Sequence, residues 1–193
     1  MAFILTELIG YLLGSLPLAL WWARRYGIDL YATSDGNPGA WNALEQLGGR
    51  RALPAFVGDG AKGLVAGLAG RALGHDDAHA YVGVAAAMLG HCLPLFSHFR
   101  GGKAIMTFAG GALALSLVPA LVCYAALALV GWARGAGTGA RVAVFGFPLV
   151  QAPFDGLHRV AWTGALMCII GLRFLVGRRS APARSARAGG PRA

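Results

Sequence analysis

The chain has 193 residues, 56% hydrophobic and only 13% charged, with a mean hydropathy of +0.58 and a formal charge of +9. Its apolar stretches are longer than a soluble core of this size can bury, so a bilayer is the solvent they fit. No aromatic-and-basic repeat or nucleic-acid-binding motif accompanies the positive charge, which points to anionic lipid or phosphate and not to nucleic acid; Cys92, Cys123 and Cys168 lie in apolar segments without metal-ligand spacing, which excludes a disulfide framework and a zinc site.

In chain order, apolar runs at 3–23, 52–73, 80–96, 104–132, 142–153 and 160–176 predict an all-α integral membrane protein with five to seven transmembrane helices. The first run is too long and too rich in Trp, and lacks the small-residue cleavage site, to be a removable signal peptide. The fourth holds Pro119 and is either one tilted span or two short ones hinged at the proline. Arg24, Arg25, Arg50, Arg51, Arg100, Lys103, Arg178 and Arg179 fall at alternate span ends. Seven spans with the N-terminus outside would keep them all in the cytoplasm, with Arg134 and Arg141, and would put the 74–79 loop and the Asp155 turn outside. Gly10 and Gly14, and Gly63 and Gly67, have the spacing that lets transmembrane backbones approach closely. Trp21, Trp22, Tyr26 and Tyr31 are placed as interfacial anchors. Residues 1–177 read as a single polytopic domain and 178–193 as a basic, disordered cytoplasmic tail resting on anionic headgroups.

Three polar segments carry candidate chemistry. Ser34-Asp35-Gly36-Asn37-Pro38-Gly39-Ala40-Trp41-Asn42, between the first two spans, can present backbone N–H groups to an anion, or be an ordinary surface turn. Asp59 and Lys62 stand three residues apart on one helical face inside the second span; such a costly pair reads as functional, with a purely structural ion pair as the alternative. Gly90-His91-Cys92-Leu93-Pro94 ends a span, and Arg100-Gly101-Gly102-Lys103 puts a basic, flexible loop before the next helix, where phosphate is well received. The His75, Asp76, Asp77 and His79 group is either a divalent-ion site or a short polar loop, and the loop is the reading taken, with no metal.

Gly14-Ser15-Leu16-Pro17, GNPGAWN, DGAKG and GHCLPLFSHFRGGK occur in the order and spacing of a known family. Over about residues 10–107 the chain resembles the acyl-phosphate-dependent glycerol-3-phosphate acyltransferases, the PlsY family; beyond 108 the likeness rests on hydropathy and a weak terminal match. The resemblance implies a compact bundle of seven helices in a bacterial-type plasma membrane. It also implies transfer of an acyl group from acyl phosphate to glycerol 3-phosphate or a related acceptor, without metal, cofactor or covalent acyl-enzyme. It assigns Asn37, Asn42, His91 and Lys103 to catalysis, and Gly39, Lys62, Gly101, Gly102 and Lys103 to the substrate phosphate, with membrane lipid as the surrounding partner.

Some positions depart from the family pattern. Asp35 stands where a serine is usual, Glu45 where an arginine is usual, and Trp41 where a threonine is usual. The terminal His-Arg-x-Asn-Ile-x-Arg-Leu segment is reduced to Met167–Phe174, which keeps Arg173 but lacks the histidine and asparagine; His158 lies nine residues too early to substitute. Two like charges ~4 Å apart at an effective dielectric near 20 repel by ~4 kcal/mol, so Asp35 and Glu45 mark a possible altered site. Arg50 and Arg51 are the nearby candidates to pair with Glu45, and Asp35 can be protonated, turned outward, or act as general base on a less anionic acceptor. The alternative function is a catalytically impaired relative acting as a lipid-binding or partner-binding membrane subunit.

Overall fold

The computed structural model describes residues 1–180, so most of the basic tail expected at 178–193 lies outside the described residues. Those residues form α1 (Ala2–Ser15), α2 (Leu18–Arg24), α3 (Ala40–Leu47), α4 (Gly49–Gly74), α5 (Asp77–Cys92), a 3-10 turn (Leu95–Ser97), α6 (Ile105–Leu115), α7 (Leu117–Arg134) and α8 (Ala136–Ser180). Among them four helical stretches are long and apolar enough to cross a membrane: Ala2–Arg24, Asp77–Ser97, Leu117–Arg134 and Ala136–Val176. Large apolar side chains such as Leu129, Trp132, Leu149 and Leu157 point outward, as a lipid solvent demands.

The helix breaks have local causes. Pro17 has no N–H to continue α1, and Leu16 before it is extended (φ −66°, ψ 116°), so the chain turns and restarts as α2. The 104–132 run is two helices, but the joint lies at Ser116 (φ −153°, ψ 79°) and not at Pro119. Pro119 sits in the first turn of α7, where its missing N–H has no intrahelical partner to lose. The runs at 142–153 and 160–176 belong to one long element, α8, jointed at Gly156 in a left-handed conformation (φ 77°, ψ 166°). With that joint, α8 has two arms.

Helix α4, predicted as a span from its apolar run at 52–73, is not among those four stretches; it is central and packs against α1, α2, α3, α5 and α6, which shields its charged residues. The contacts are close enough to exclude side chains. A Cβ on Gly14 would lie 2.0 Å from the Ala87 carbonyl oxygen, and one on Gly63 would lie 1.8 Å from that of Thr107. The anticipated use of these glycines in backbone packing is what the helices show.

A polar cluster fixes both joints at the end of the bundle where α4 ends and α5 begins. Gln151 is fully buried; its Nε2 donates to Ser116 Oγ (2.7 Å), Tyr81 Oη (3.0 Å) and Asp155 Oδ2 (3.1 Å), while its Oε1 accepts from Thr163 Oγ1 (2.7 Å). Arg159 pairs with Asp155 (3.2 Å) and Asp77 (3.4 Å) and donates to the Leu115 carbonyl left open by the Ser116 break. In the neighbouring loop Asp76 caps α5 by accepting from the His79 N–H (2.8 Å) and pairs with its ring, and Asp77 pairs with Arg71 (2.7 Å). These side chains serve the cap and the ion pairs, and no group of three potential ligands gathers among the described residues.

Candidate functional site

At the other end of the bundle two loops meet above a buried charged cluster. The kink at Pro17 exposes the carbonyls of Gly14 and Leu16, and Lys62 of α4 reaches them: its Nζ lies 2.7 Å from Leu16 O and 3.5 Å from Gly14 O. The same ammonium lies 2.8 Å from Asp59 Oδ1 and 3.2 Å from His91 Nδ1, with Lys62 only 4% and Asp59 only 1% exposed. An ammonium has three donors and no acceptor. Here all three are taken, so Lys62 neutralises Asp59, fixes the kink and orients His91. It has no donor left for a ligand in this state.

Because Lys62 donates to His91 Nδ1, the neutral imidazole keeps its proton on Nε2. That nitrogen lies beneath the Gly101-Gly102 loop, 2.2 Å from where a Cβ on Gly102 would stand. The His91 carbonyl accepts from the Gly102 N–H (3.0 Å), and a Cβ on Gly101 would stand 2.1 Å from the same carbonyl. Glycine is therefore required at both positions by close packing on the end of α5. From above, Arg173 of the second arm of α8 donates through Nη2 to Gly101 O (2.7 Å) and through Nε to Gly102 O (3.1 Å). His98, Phe99 and Ala104 around it adopt left-handed backbone conformations (φ 53°, 60° and 59°), and α6 begins at Ile105 directly after.

The first loop is built around Asn42. This side chain is 2% exposed and belongs to the loop, not to the pocket: its Nδ2 donates to Leu30 O (2.9 Å), Thr33 O (3.1 Å) and Asn37 O (3.0 Å), and its Oδ1 accepts from Thr33 Oγ1 (3.1 Å). Gly39 is the extended residue before α3 (φ −107°, ψ 171°), and Asn37 is half-buried beside it. Tyr31 links the loops: its hydroxyl donates to Arg100 O (2.8 Å), and the Arg100 guanidinium lies 4.2 Å above its ring. An interfacial anchor was expected there.

The two unusual acids resolve differently. Glu45 accepts from Ser34 Oγ (2.7 Å), so its partner is a hydroxyl and not Arg50 or Arg51. Asp35 is neither turned outward nor neutral: its Oδ2 lies 2.6 Å from Lys103 Nζ, and its Oδ1 accepts from the Asn37 N–H (3.1 Å). Partial burial pushes the Asp35 carboxyl up, but Lys103 and the backbone N–H groups of Asn37 and Asp35 outweigh it and hold the group below the usual carboxylate value. Lys103 also lies 4.6 Å above the Phe174 ring. Between the loops a cavity of about 10 Å³, room for about one water, is lined by Pro17, Asp59, Lys62, His91, Arg100 and Gly102.

The structure therefore gathers Lys62, His91, Gly101, Gly102 and Lys103, with Asp35 against the last, and gives Asn42 to the loop scaffold. Sequence reasoning missed the clamp by Arg173 and the bridge by Tyr31. A signal for Arg173 existed in the surviving terminal arginine; for Tyr31 there was none, since an aromatic at a membrane edge reads as an anchor.

Outward apolar helices around a loop-covered pocket lined by charged side chains define a polytopic membrane protein with a polar site at one end of its bundle. The glycerol-3-phosphate acyltransferase family model matches residues 4–184. The glycerol-3-phosphate acyltransferase of Jannaschia sp. (strain CCS1) is 38% identical over 171 residues, covering 88% of this chain and 84% of that protein. The Geobacter sulfurreducens protein of the same name is 35% identical over 150 residues, 76% of each. The crystal structure of PlsY (YgiH), an integral membrane glycerol 3-phosphate acyltransferase in its glycerol 3-phosphate form, superposes with a TM-score of 0.80 at 25% identity, covering 93% of this chain and 91% of that one. Its lysophosphatidic acid form gives 0.76 at 26% identity, covering 92% and 94%. This chain belongs to the glycerol-3-phosphate acyltransferase family, membrane acyltransferases of phospholipid synthesis.

Proposed function

We propose that the protein transfers an acyl group from an acyl phosphate to glycerol 3-phosphate or a closely related acceptor, at the cytoplasmic surface of a bacterial inner membrane, with its N-terminus outside. The observation that carries this reading is the convergence of the loop at 30–39 and the loop at 98–104 beside one pocket, with Arg100 in its lining and Lys103 next in the chain to Gly102, which also lines it. Arg100 forms no ion pair among the described residues and keeps its guanidinium for an anion.

In this reading Lys103, Arg100 and the N–H groups at the start of α6 hold phosphate. The acceptor hydroxyl oxygen attacks the acyl carbonyl carbon, the bond from that carbon to the phosphate oxygen breaks, and inorganic phosphate leaves. The hydroxyl proton passes to a phosphate oxygen, so no acyl-enzyme forms. His91 and Arg173 act through the Gly101-Gly102 loop, Asn42 through the first loop, and Gly39 and Asn37 through the turn beside Asp35.

The Asp35–Lys103 pair favours a second reading, a relative that binds lipid or a partner without turnover. Purified protein given acyl phosphate and glycerol 3-phosphate separates the two. The expected result is release of inorganic phosphate, reduced about 10- to 100-fold by Lys103→Ala through loss of a charge-assisted contact. Lack of release from any acceptor in a panel, or full activity of Lys103→Ala, would overturn the first reading.

A further inference from the structure

We propose that Asp35 is a built-in competitor for the substrate phosphate: its carboxylate occupies Lys103, ties the two loops together, and must be displaced for an anionic substrate to reach that ammonium. The inference rests on the reading of this pocket as the phosphate site.

Four observations converge on it. The Asp35 carboxylate is aimed, not loosely paired, since one oxygen lies 2.6 Å from Lys103 Nζ while the other accepts from the Asn37 N–H (3.1 Å). Two neighbouring cations are committed elsewhere, Lys62 to Asp59, Leu16 O and His91, and Arg173 to the carbonyls of Gly101 and Gly102, while Arg100 stands over the Tyr31 ring without an ion pair among the described residues. Lys103 is therefore the ammonium that an incoming phosphate can win. The cavity lined by Arg100, Gly101 and Gly102, the residues just before Lys103, has room for about one water, so a glycerol phosphate does not fit between the loops as they stand. The Tyr31 hydroxyl, the Arg100 guanidinium over its ring and the Asp35–Lys103 bridge tie the loops to each other.

Charge decides the exchange. A carboxylate brings one negative charge to Lys103, whereas a phosphate monoester at neutral pH brings nearly two and three acceptor oxygens. The phosphate wins once it arrives, but its apparent affinity is lowered by the bond it must replace. The bridge is partly open to solvent, with side-chain exposures of 22% for Lys103 and 47% for Asp35, so that penalty is modest and reversible. Asp35 thereby sets the working concentration of anionic substrate instead of abolishing activity.

The test uses the full-length protein and two variants, Asp35→Asn, which keeps the shape and the acceptor for Asn37, and Asp35→Ser. Inorganic phosphate is titrated against each while acylation of the Lys103 amine by a small amine-reactive reagent is followed by mass spectrometry. Both variants are expected to label faster without phosphate and to be protected at phosphate concentrations about three- to fivefold lower than wild type, the range an exposed ion pair supports. Where turnover is measured, KM for glycerol 3-phosphate is expected to fall by a similar factor. Unchanged or higher phosphate requirements in both folded variants would overturn the competitor role. Protection of Lys103 needs no turnover, so a wild type that binds phosphate but releases none would fail the acyltransferase reading alone.

Discussion

Two buried polar clusters sit at opposite ends of one helical bundle, and they handle their hydrogen bonds differently. Around Gln151, most donors and acceptors are met within the set: Ser116, Tyr81, Thr163, Asp155 and Arg159 serve one another and one open carbonyl at a helix joint, with Arg159 Nε left without a partner. Around Lys62, the long side chains of Lys62 and Arg173 reach out of the helices to loop and kink carbonyls, and Lys103 is held by a carboxylate from another loop. A closed network stabilises, and one aimed at loops positions. The same residue types thus divide between architecture and chemistry by where their bonds lead.

Three substitutions would break or sharpen that contrast. Gly101→Ala should have the largest effect, because its Cβ would meet the His91 and Cys92 carbonyls (2.1 and 2.6 Å) and Pro94 Cδ (2.4 Å), none of which can swing away. Displacing the loop by about an ångström predicts a loss in kcat/KM of about 100-fold; an active Gly101→Ala would dissolve the distinction. Gln151→Leu should cost about 2–3 kcal/mol of stability by leaving Asp155, Tyr81 and Thr163 without their shared partner, yet leave the activity of the folded fraction unchanged. Thermal unfolding read beside specific activity checks both halves. The smallest effect is expected from Arg173→Lys, which keeps the charge but cannot span two carbonyls, so activity should drop about tenfold with little change in unfolding temperature. A large stability loss there would place Arg173 with the architectural set.

Much of this was legible in the chain. Apolar runs gave the helices, and RGGK after a span gave the loop before α6, because both are local patterns. The Asp59–Lys62 pair was readable from its three-residue spacing. The joint at Ser116 was not, since Pro119 is the stronger breaker on paper but is harmless in a first turn. Asn42 looked like a pocket residue because its partners Leu30, Thr33 and Asn37 become neighbours only when the loop closes on α3. Asp35 meets Lys103 across 68 positions, and Arg173 meets Gly101 across 72, separations at which no periodicity speaks.

The glycine contacts have a mechanical consequence. Where Gly14 rests on Ala87, Gly63 on Thr107 and Gly110 on Gly60, main chains touch with no flexible side chain between them as lubricant. Helices α1, α4, α5 and α6 therefore cannot slide or roll without losing those contacts outright, and they act as a stiff anvil. Whatever breathing the protein needs to admit a ligand falls to the short segments at the mouth, so catalytic pace and thermal endurance can be tuned by separate parts of the chain.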